Sequence, residues 1–489
     1  MQISGGGCRV RRIAGLSGVS ALAAAALVLW MAPSAAANVP LTRVSSDPYS
    51  NAASQHRTEV EPDTFAFGST IVSAFQVGRI FGGGSANIGF ATSNDAGGSW
   101  ASGFLPGITV NQGGAFTAAS DPSVAFDARH NVWLISSLVL NSSGGAGVVT
   151  SRSTDGGRSW GSPVTTATGS LDKNWVTCDD TSSSPFFGHC YTEYDITGSG
   201  NAIRLRTSTD GGLTWGSSRA SSDAATGLGG QPVVRPNGTV IMPYLSTSGQ
   251  IRSFRSIDGG TSWRASVLVA SPTTHHVAGG IRVGADLPSA EVDAAGTVYV
   301  AFYDCRFRSG CPSNDILISK STSETTWAAP VRVPIDPTSS TADHFVPGLG
   351  VDRSTSGSSA RIGLTYYFYP TATCTASSCQ LSVGFTSSTN GGTSWSPATR
   401  LAGPMNASWL PNTSQGRMFG DYISTSVLPG GQAFPLIAVA NPPNGGLFDL
   451  AMYVPTSGLS VTGGTVRTAA PPTTPKPTAP RTPNPKTVQ

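Results

Sequence analysis

One octapeptide recurs along this chain and restricts its fold more than anything else in the sequence. It reads Ser93-Asn-Asp95-Ala-Gly-Gly98-Ser-Trp100, then Ser153-Thr-Asp155-Gly-Gly-Arg-Ser-Trp160. It returns as Ser208-Thr-Asp210-Gly-Gly-Leu-Thr-Trp215 and Ser256-Ile-Asp258-Gly-Gly-Thr-Ser-Trp263. Ser388-Thr-Asn390-Gly-Gly-Thr-Ser-Trp395 carries Asn for Asp, and Ser319 to Trp327 is a worn copy; successive copies start 48 to 69 residues apart. Such a segment is a turn. The Asp carboxylate accepts from backbone N–H groups just ahead of it, and the Gly pair supplies positive φ. The Trp then falls on the next strand and buries its ring against the hairpin.

A second segment precedes each turn. Asp121-Pro-Ser-Val-Ala-Phe-Asp127, Gln231-Pro-Val-Val-Arg-Pro-Asn237, Leu287-Pro-Ser-Ala-Glu-Val-Asp293 and Val346-Pro-Gly-Leu-Gly-Val-Asp352 each read as a short strand ending in a turn. A β-rich strand follows, as in Gly296-Thr-Val-Tyr-Val-Ala-Phe302. Each unit is thus four antiparallel strands in roughly 50 residues, the pattern of a propeller blade. The units fall near 60–110, 120–166, 172–218, 228–270, 282–333, 343–401 and 416–456. The last lacks the octapeptide, so its outer strand is expected from the segment near 40–50. The expectation is an all-β, seven-bladed β-propeller of four-stranded antiparallel blades, with six blades as the alternative.

The ends read differently. Residues 1–37 have the form of a signal peptide: Arg9, Arg11 and Arg12, an apolar stretch from Ile13 to Ala32, and a small-residue cleavage site at Ser34-Ala-Ala-Ala37. An uncleaved anchor is the alternative. Residues 38–59 form an N-terminal extension, and 60–468 the repeat domain. From Ala469 to Gln489 the chain is rich in Pro and Thr, a composition that stays extended and suits a flexible tail or wall-spanning linker. Thirty Lys and Arg, three of them in the leader, stand against 27 Asp and Glu. A balanced chain without a basic run leaves no footprint for nucleic acid.

Cys8 lies in the leader. The other six cysteines form three close pairs: Cys178 with Cys190, Cys305 with Cys311, and Cys374 with Cys379. Six cysteines permit ~15 pairings, and local bridges across the short loops are the simplest. Such bridges persist in an oxidising compartment. Zinc is the alternative, but metal-ligand spacings are missing. Together these features predict a secreted monomer, extracellular or held at the cell wall by its tail, without a membrane span.

The octapeptide resembles the Asp box, or bacterial neuraminidase repeat, and the resemblance covers nearly all of residues 60–456. It implies a propeller of the sialidase-like superfamily, with Asp95, Asp155, Asp210, Asp258 and Asn390 as structural turn residues. Typical sialidases have six blades. Asp boxes also occur in other glycosidases, in polysaccharide lyases and in non-enzymatic propellers, so the fold leaves function open. Sialidases are known for three arginines that clamp the substrate carboxylate, a Tyr nucleophile assisted by a Glu, and an Asp acid/base. A bidentate guanidinium suits a carboxylate. The first arginine belongs to a Phe-Arg-Ile-Pro motif, yet here that place reads Thr58-Glu-Val-Glu61-Pro62. Arg282, Arg306 in Tyr303-Asp-Cys-Arg306-Phe, and Arg417 in Gln415-Gly-Arg417-Met-Phe-Gly-Asp421-Tyr422 are the later candidates.

The aligned repeats locate a mouth. Glu61, Asp121, Asp172, Asp286, Asp343 and Asp421 precede or open the inner strands, where loops of all blades converge. Such a ring suits acid/base chemistry on a glycosidic bond, Ca²⁺ binding, or plain turn capping. Asp172-Lys173-Asn174-Trp175, Asp343-His344-Phe345 and Arg417 to Tyr422 add cations and aromatic rings that suit sugar faces. Farther along the inner strands, Arg235 and Glu291 are expected to pair across the channel, either as axial filling or as a pKa-tuning pair. The candidate catalytic residues are therefore Asp172, Asp343, Asp421, Tyr422 and Glu291. The candidate substrate-binding residues are Arg235, Arg282, Arg306, Arg417, Lys173, Trp175, His344, Asp121 and Asp286. No cofactor is expected, save a structural Ca²⁺.

The leading functional expectation is an exo-acting, sialidase-like glycoside hydrolase on terminal, acidic sugars of extracellular glycans. A non-catalytic propeller that binds glycan or protein at the cell surface is the alternative. A uronate polysaccharide lyase is the third reading.

Overall fold

A computed structural model describes residues 39–142, 144–283 and 286–467. The predicted signal peptide and the Pro/Thr-rich tail lie outside the described residues. What is described is all-β, with a few single-turn 3₁₀ segments.

The strands pair as successive antiparallel meanders. The first runs through Glu59–Phe67, Thr70–Arg79, Ser85–Ser93 and Ala101–Phe104. The second runs through Ala118–Asp127, Val132–Asn141, Gly144–Ser153 and Val164–Thr168. The pair Ser85↔Ala119 joins these two into one eight-stranded sheet. The third holds Leu171–Cys178, Cys190–Ile196 and Ala202–Ser208, with Arg219 bridged to Leu205 on its outer side. The fourth, fifth and sixth open with Val233–Val234, Ser289–Val292 and Asp343–Val351. The seventh comprises Ser424–Leu428, Gln432–Ala440 and Leu450–Pro455, and its outer strand is Leu41–Arg43, paired as Leu41↔Pro455. The first strand of each meander touches the first strand of the next, and Ser424–Leu428 touches Glu59–Phe67.

The octapeptides form one repeated turn. In the first copy Ser93 Oγ donates to Asp95 Oδ1 at 2.8 Å, and Gly97 N–H donates to Ser93 Oγ at 2.8 Å. Ser99 gives its N–H to Asp95 Oδ1 at 2.8 Å and its hydroxyl to Oδ2 at 2.7 Å. Asp155, Asp210 and Asp258 accept the same bonds. Asn390 keeps the backbone half and donates its amide to Ser394 Oγ at 2.8 Å. The turn also fastens neighbouring meanders. Gly157 has φ 79°, and a Cβ there would meet Val72 Cγ2 at 2.7 Å. Glycine is thus required twice, for its backbone angle and for close approach. The Gly157 carbonyl accepts from Thr92 Oγ1 at 2.8 Å, and Gly211, one turn later, accepts from Arg152 Nε at 2.6 Å.

The three local disulfides form as the sequence spacing predicts. Among the described residues no helix is long and apolar enough to cross a membrane.

Candidate functional site at the bulged ends of the inner strands

Four inner strands break register where they begin. The shifts fall between Val60 and Asp63, Ser120 and Ser123, Asp172 and Trp175, and Phe345 and Pro347. At each break one non-glycine residue has left-handed backbone: Glu61 at φ 57°, Asp121 at 44°, Lys173 at 49° and Val346 at 47°. Proline follows three of these residues, and without an N–H it cannot continue the ladder. A bulge of this kind re-aims one side chain, and a non-glycine residue at positive φ stores strain that its surroundings must hold.

Three of the four bulges deliver a charge to one place. Lys173 Nζ lies 2.6 Å from Asp421 Oδ2, 3.3 Å from Asp121 Oδ1 and 3.4 Å from Glu61 Oε1. Arg282 grips Asp421 with both Nε, 2.8 Å from Oδ1, and Nη2, bonded to Oδ2. The Asp421 N–H donates to Glu61 Oε1 at 3.3 Å, while Gln76 Nε2 reaches Glu61 Oε2 and Ser120 Oγ. The carboxylates are buried beneath the cations: the side chains of Glu61 and Asp421 are 1% exposed, those of Lys173 and Arg282 10% and 16%.

Proton affinities diverge within this cluster. Burial pushes the Glu61 carboxyl up to about 8, against the pull of Lys173. Burial also opposes ionisation of Asp421, but Arg282 and Lys173 outweigh it and hold that carboxyl well below the usual range. Arg79, buried nearby, is brought down to about 10, first by desolvation and then by Arg282. Side by side, one carboxyl favours its proton and the other its charge, the separation that assigns acid and base roles in carboxylate pairs.

Beside the cluster Lys173, Asn174, Trp175, Gly229, Gln231, Leu287 and Tyr422 line a narrow cleft of about 10 Å³, room for a single water. Trp175 is half-buried and meets Tyr422 edge-on at 5.0 Å. Tyr422 is not placed as a nucleophile, because its hydroxyl donates to the Pro122 carbonyl at 3.0 Å and not to a carboxylate. The buried tyrosine that faces a carboxylate here is Tyr303. Burial raises its pKa first, and the Asp286 carboxylate at its hydroxyl raises it further.

Several expected residues lie elsewhere. Arg235 and Glu291 do not pair. Arg235 donates to the carbonyls of Gly296 at 2.8 Å and Thr322 at 3.0 Å, at the opposite turns. Glu291 keeps partial solvent access, and its neighbouring charges are Arg353 and Asp63. Asp343 caps a loop, accepting from Asn314 N at 2.7 Å and Nδ2 at 2.8 Å. His344 is buried, with Nδ1 against the Asn314 carbonyl. Arg306 closes on Asp304 of its own strand, with Nη2 at 2.6 Å. Arg417 spends Nη1 on the carbonyls of Ser408 and Leu410, and its backbone pairs with the Gly280–Arg282 segment, so it positions Arg282. Asp172 precedes the bulge and lies opposite Asp195, because alternation turns adjacent side chains apart.

Arg79, Gln76 and Tyr303 escaped sequence reading. Arg79 closes the second strand of the first meander, and only the register Glu59↔Val77 returns it to the mouth. Tyr303 stood in the segment that drew attention to Arg306.

The residues do not fit a structural Ca²⁺ at the mouth, since the Lys173 ammonium takes the position among the carboxylates where a cation would sit. Asp315, Asp336 and His344 bring ligand atoms within 4.8 Å of one another. Arg308 and Arg332, at 2.6 to 2.9 Å, already compensate both aspartates. A divalent ion would add uncompensated charge to a buried site.

No protein-family model matches the chain, and no curated protein matches it. Solved structures to which it is similar include a protein of unknown function from Dyadobacter fermentans, at 17% identity and TM-score 0.45, covering 71% of this chain and 98% of that one. The intramolecular trans-sialidase from Ruminococcus gnavus is 15% identical with TM-score 0.40, covering 85% and 96%. An ulvan lyase is 11% identical with TM-score 0.49, covering 84% and 97%.

Proposed function

We propose that the chain is a secreted, seven-bladed Asp-box propeller that acts on acidic sugars of extracellular glycans as a sialidase-like glycoside hydrolase. Residues 1–37 are then a signal peptide, 38–59 an extension that closes the ring, 60–468 the propeller, and 469–489 a tail.

The observation that carries this reading is the mouth itself. A half-buried tryptophan stands beside Lys173, and Lys173 and Arg282 are cations that three buried carboxylates hold in place. Trp175 offers a face to a sugar ring. Arg282 commits Nε and Nη2 to Asp421, so its remaining Nη1 is the group for a sugar carboxylate. Tyr303, with Asp286 at its hydroxyl, is the nucleophile and base; the Tyr303 oxygen attacks the anomeric carbon as its proton passes to Asp286. Glu61, whose carboxyl keeps its proton beside Lys173, protonates the leaving oxygen.

Sugar release from sialylated, uronate-containing and neutral glycans tests this. The wild type is expected to release one acidic sugar. Tyr303→Phe is expected to lose at least about a hundredfold in kcat, ~2.7 kcal/mol, with an unchanged melting curve. The second reading is a non-catalytic acidic-glycan receptor. It is favoured by the three carboxylates on which Lys173 spends its donors. Binding without release by the wild type would select it.

A further inference from the structure

A second cleft, of about 250 Å³, lies at the other end of the sheets. Its walls come from two chain-distant places. The N-terminal strand and its extension give Thr42, Arg43, Ser45 and Ser46, and the first octapeptide turn gives Gly97 to Trp100; Ser102 and Thr456 complete it. The register pairs Ile71 with Ser93 and Glu59 with Val77, so this turn and the bulge at Glu61 lie at opposite ends of the first meander. The mouth cleft and this one share no lining residue.

Its chemistry is specific. Trp100 is half-buried, as is Trp215, whereas Trp160, Trp263 and Trp395, at the same place in their repeats, are buried. The first turn therefore leaves part of its indole uncovered. Arg43 is exposed and anchored by Nε, which donates to the Ser45 carbonyl at 3.0 Å. Its Nη1 stands 3.6 Å from Asp449 and its Nη2 3.9 Å from Glu59, both beyond hydrogen-bond range. The guanidinium is thus oriented, yet both Nη groups keep donors for another partner. Glu59 is fully buried, and its Oε1 has the Arg43 guanidinium nearby but no hydrogen-bond donor. Hydroxyls of serine and threonine line the remaining wall.

We propose that this cleft is an auxiliary carbohydrate site that takes one pyranose ring, stacked on Trp100 and held through its hydroxyls by Arg43 and the surrounding serines. An aromatic face, a fork of donors and hydroxyls suit a ring that is apolar on its faces and polar at its edge. The volume lies below the ~300 Å³ at which pockets for drug-sized molecules begin, so one ring fits and two do not. Such a site would hold the protein on a polymeric glycan while the mouth engages another part of it.

The test is titration of the full secreted protein with galactose, N-acetylglucosamine and glucose, neutral sugars without the carboxylate that the mouth is proposed to take, each alone, followed by ligand-observed NMR. Saturable binding of at least one is expected, weakened about tenfold or more by Arg43→Ala. Ser46→Trp, which fills the cleft from the wall opposite the octapeptide, is expected to do the same. Tyr303→Phe and Arg282→Lys, at the mouth, should leave this binding unchanged. Binding that survives both Arg43→Ala and Ser46→Trp overturns the proposal, as does failure of all three sugars to saturate. Loss in the mouth variants instead would assign the binding to the mouth.

Discussion

Asp95 and Asp421 are both ionised aspartates beside strand ends, and they reach that state by different physics. Asp95 is exposed in a turn. The Ser99 hydroxyl, the Ser99 N–H and the Ser93 hydroxyl bring its pKa to about 2. Asp421 is buried and keeps its charge because Arg282 and Lys173 overcome the burial. Its neighbour Glu61, without a bidentate partner, goes the other way, to about 8. The turn solution recurs at Asp155, Asp210 and Asp258 because a local serine or threonine and the backbone complete it. The mouth solution occurs once, because it draws charge from five chain-distant segments. Repetition therefore marks what builds the fold, and departure from repetition at the bulge marks what the fold is built to hold.

The largest expected difference between the two ends is thermodynamic. Lys173→Met leaves three carboxylates around an empty centre, and urea denaturation should show about 3–5 kcal/mol lost, as for breaking buried ion pairs. A loss under about 1 kcal/mol would mean that the cluster is far more hydrated than its burial indicates.

The pH dependence of stability separates the ends next. Glu61 and Asp195, both near 8, and Asp63, near 7, hold protons in the folded state that the unfolded chain releases near 4. Stability should therefore fall as pH rises from ~4 to ~8. The turn aspartates act oppositely. Asp95 and Asp155 lie near 2, so their contribution is present above 3.8 and is lost as pH falls through 2. The melting temperature should peak at mildly acidic pH; a peak above pH 8 would contradict the assignment of these buried groups.

Within the turns the effects are smaller. Asp210→Ala removes bonds from Ser208, Thr214 N and Thr214 Oγ1, at a cost of about 1–2 kcal/mol. Asn390→Asp, which restores the commoner residue, should change stability by less than about 0.5 kcal/mol, because Ser394 only reverses its role as donor or acceptor. A larger gain would show that the charge of the acceptor, rather than turn geometry, governs these repeats.

The octapeptide made the strand order legible, since Ser-x-Asp-x-Gly fixes a turn locally and its spacing fixes the meanders. It also gave the pairing of the N-terminal segment with the last meander, because that unit lacked an outer strand. The site was legible only in part. Glu61, Asp121, Lys173, Asp421 and Arg282 were visible as charges near inner strands, but the bulge that selects Lys173 over Asp172 is a backbone event one residue wide. Arg235 lies just past the strand Val233–Val234 while Glu291 stays within Ser289–Val292, so the alternation assumed for both did not bring them together. Tyr303 could not be told from a core tyrosine without its partner Asp286.

The most direct measurement compares acidic-sugar release by the wild type, Arg282→Lys and Asp210→Ala, each with its melting curve. Arg282→Lys should lose about a hundredfold or more in kcat/KM while folding, since a lysine cannot grip Asp421 and a substrate carboxylate together. Asp210→Ala should melt earlier and release sugar at the wild-type rate. Full activity in Arg282→Lys, or activity lost in Asp210→Ala at a temperature where it remains folded, would contradict the account.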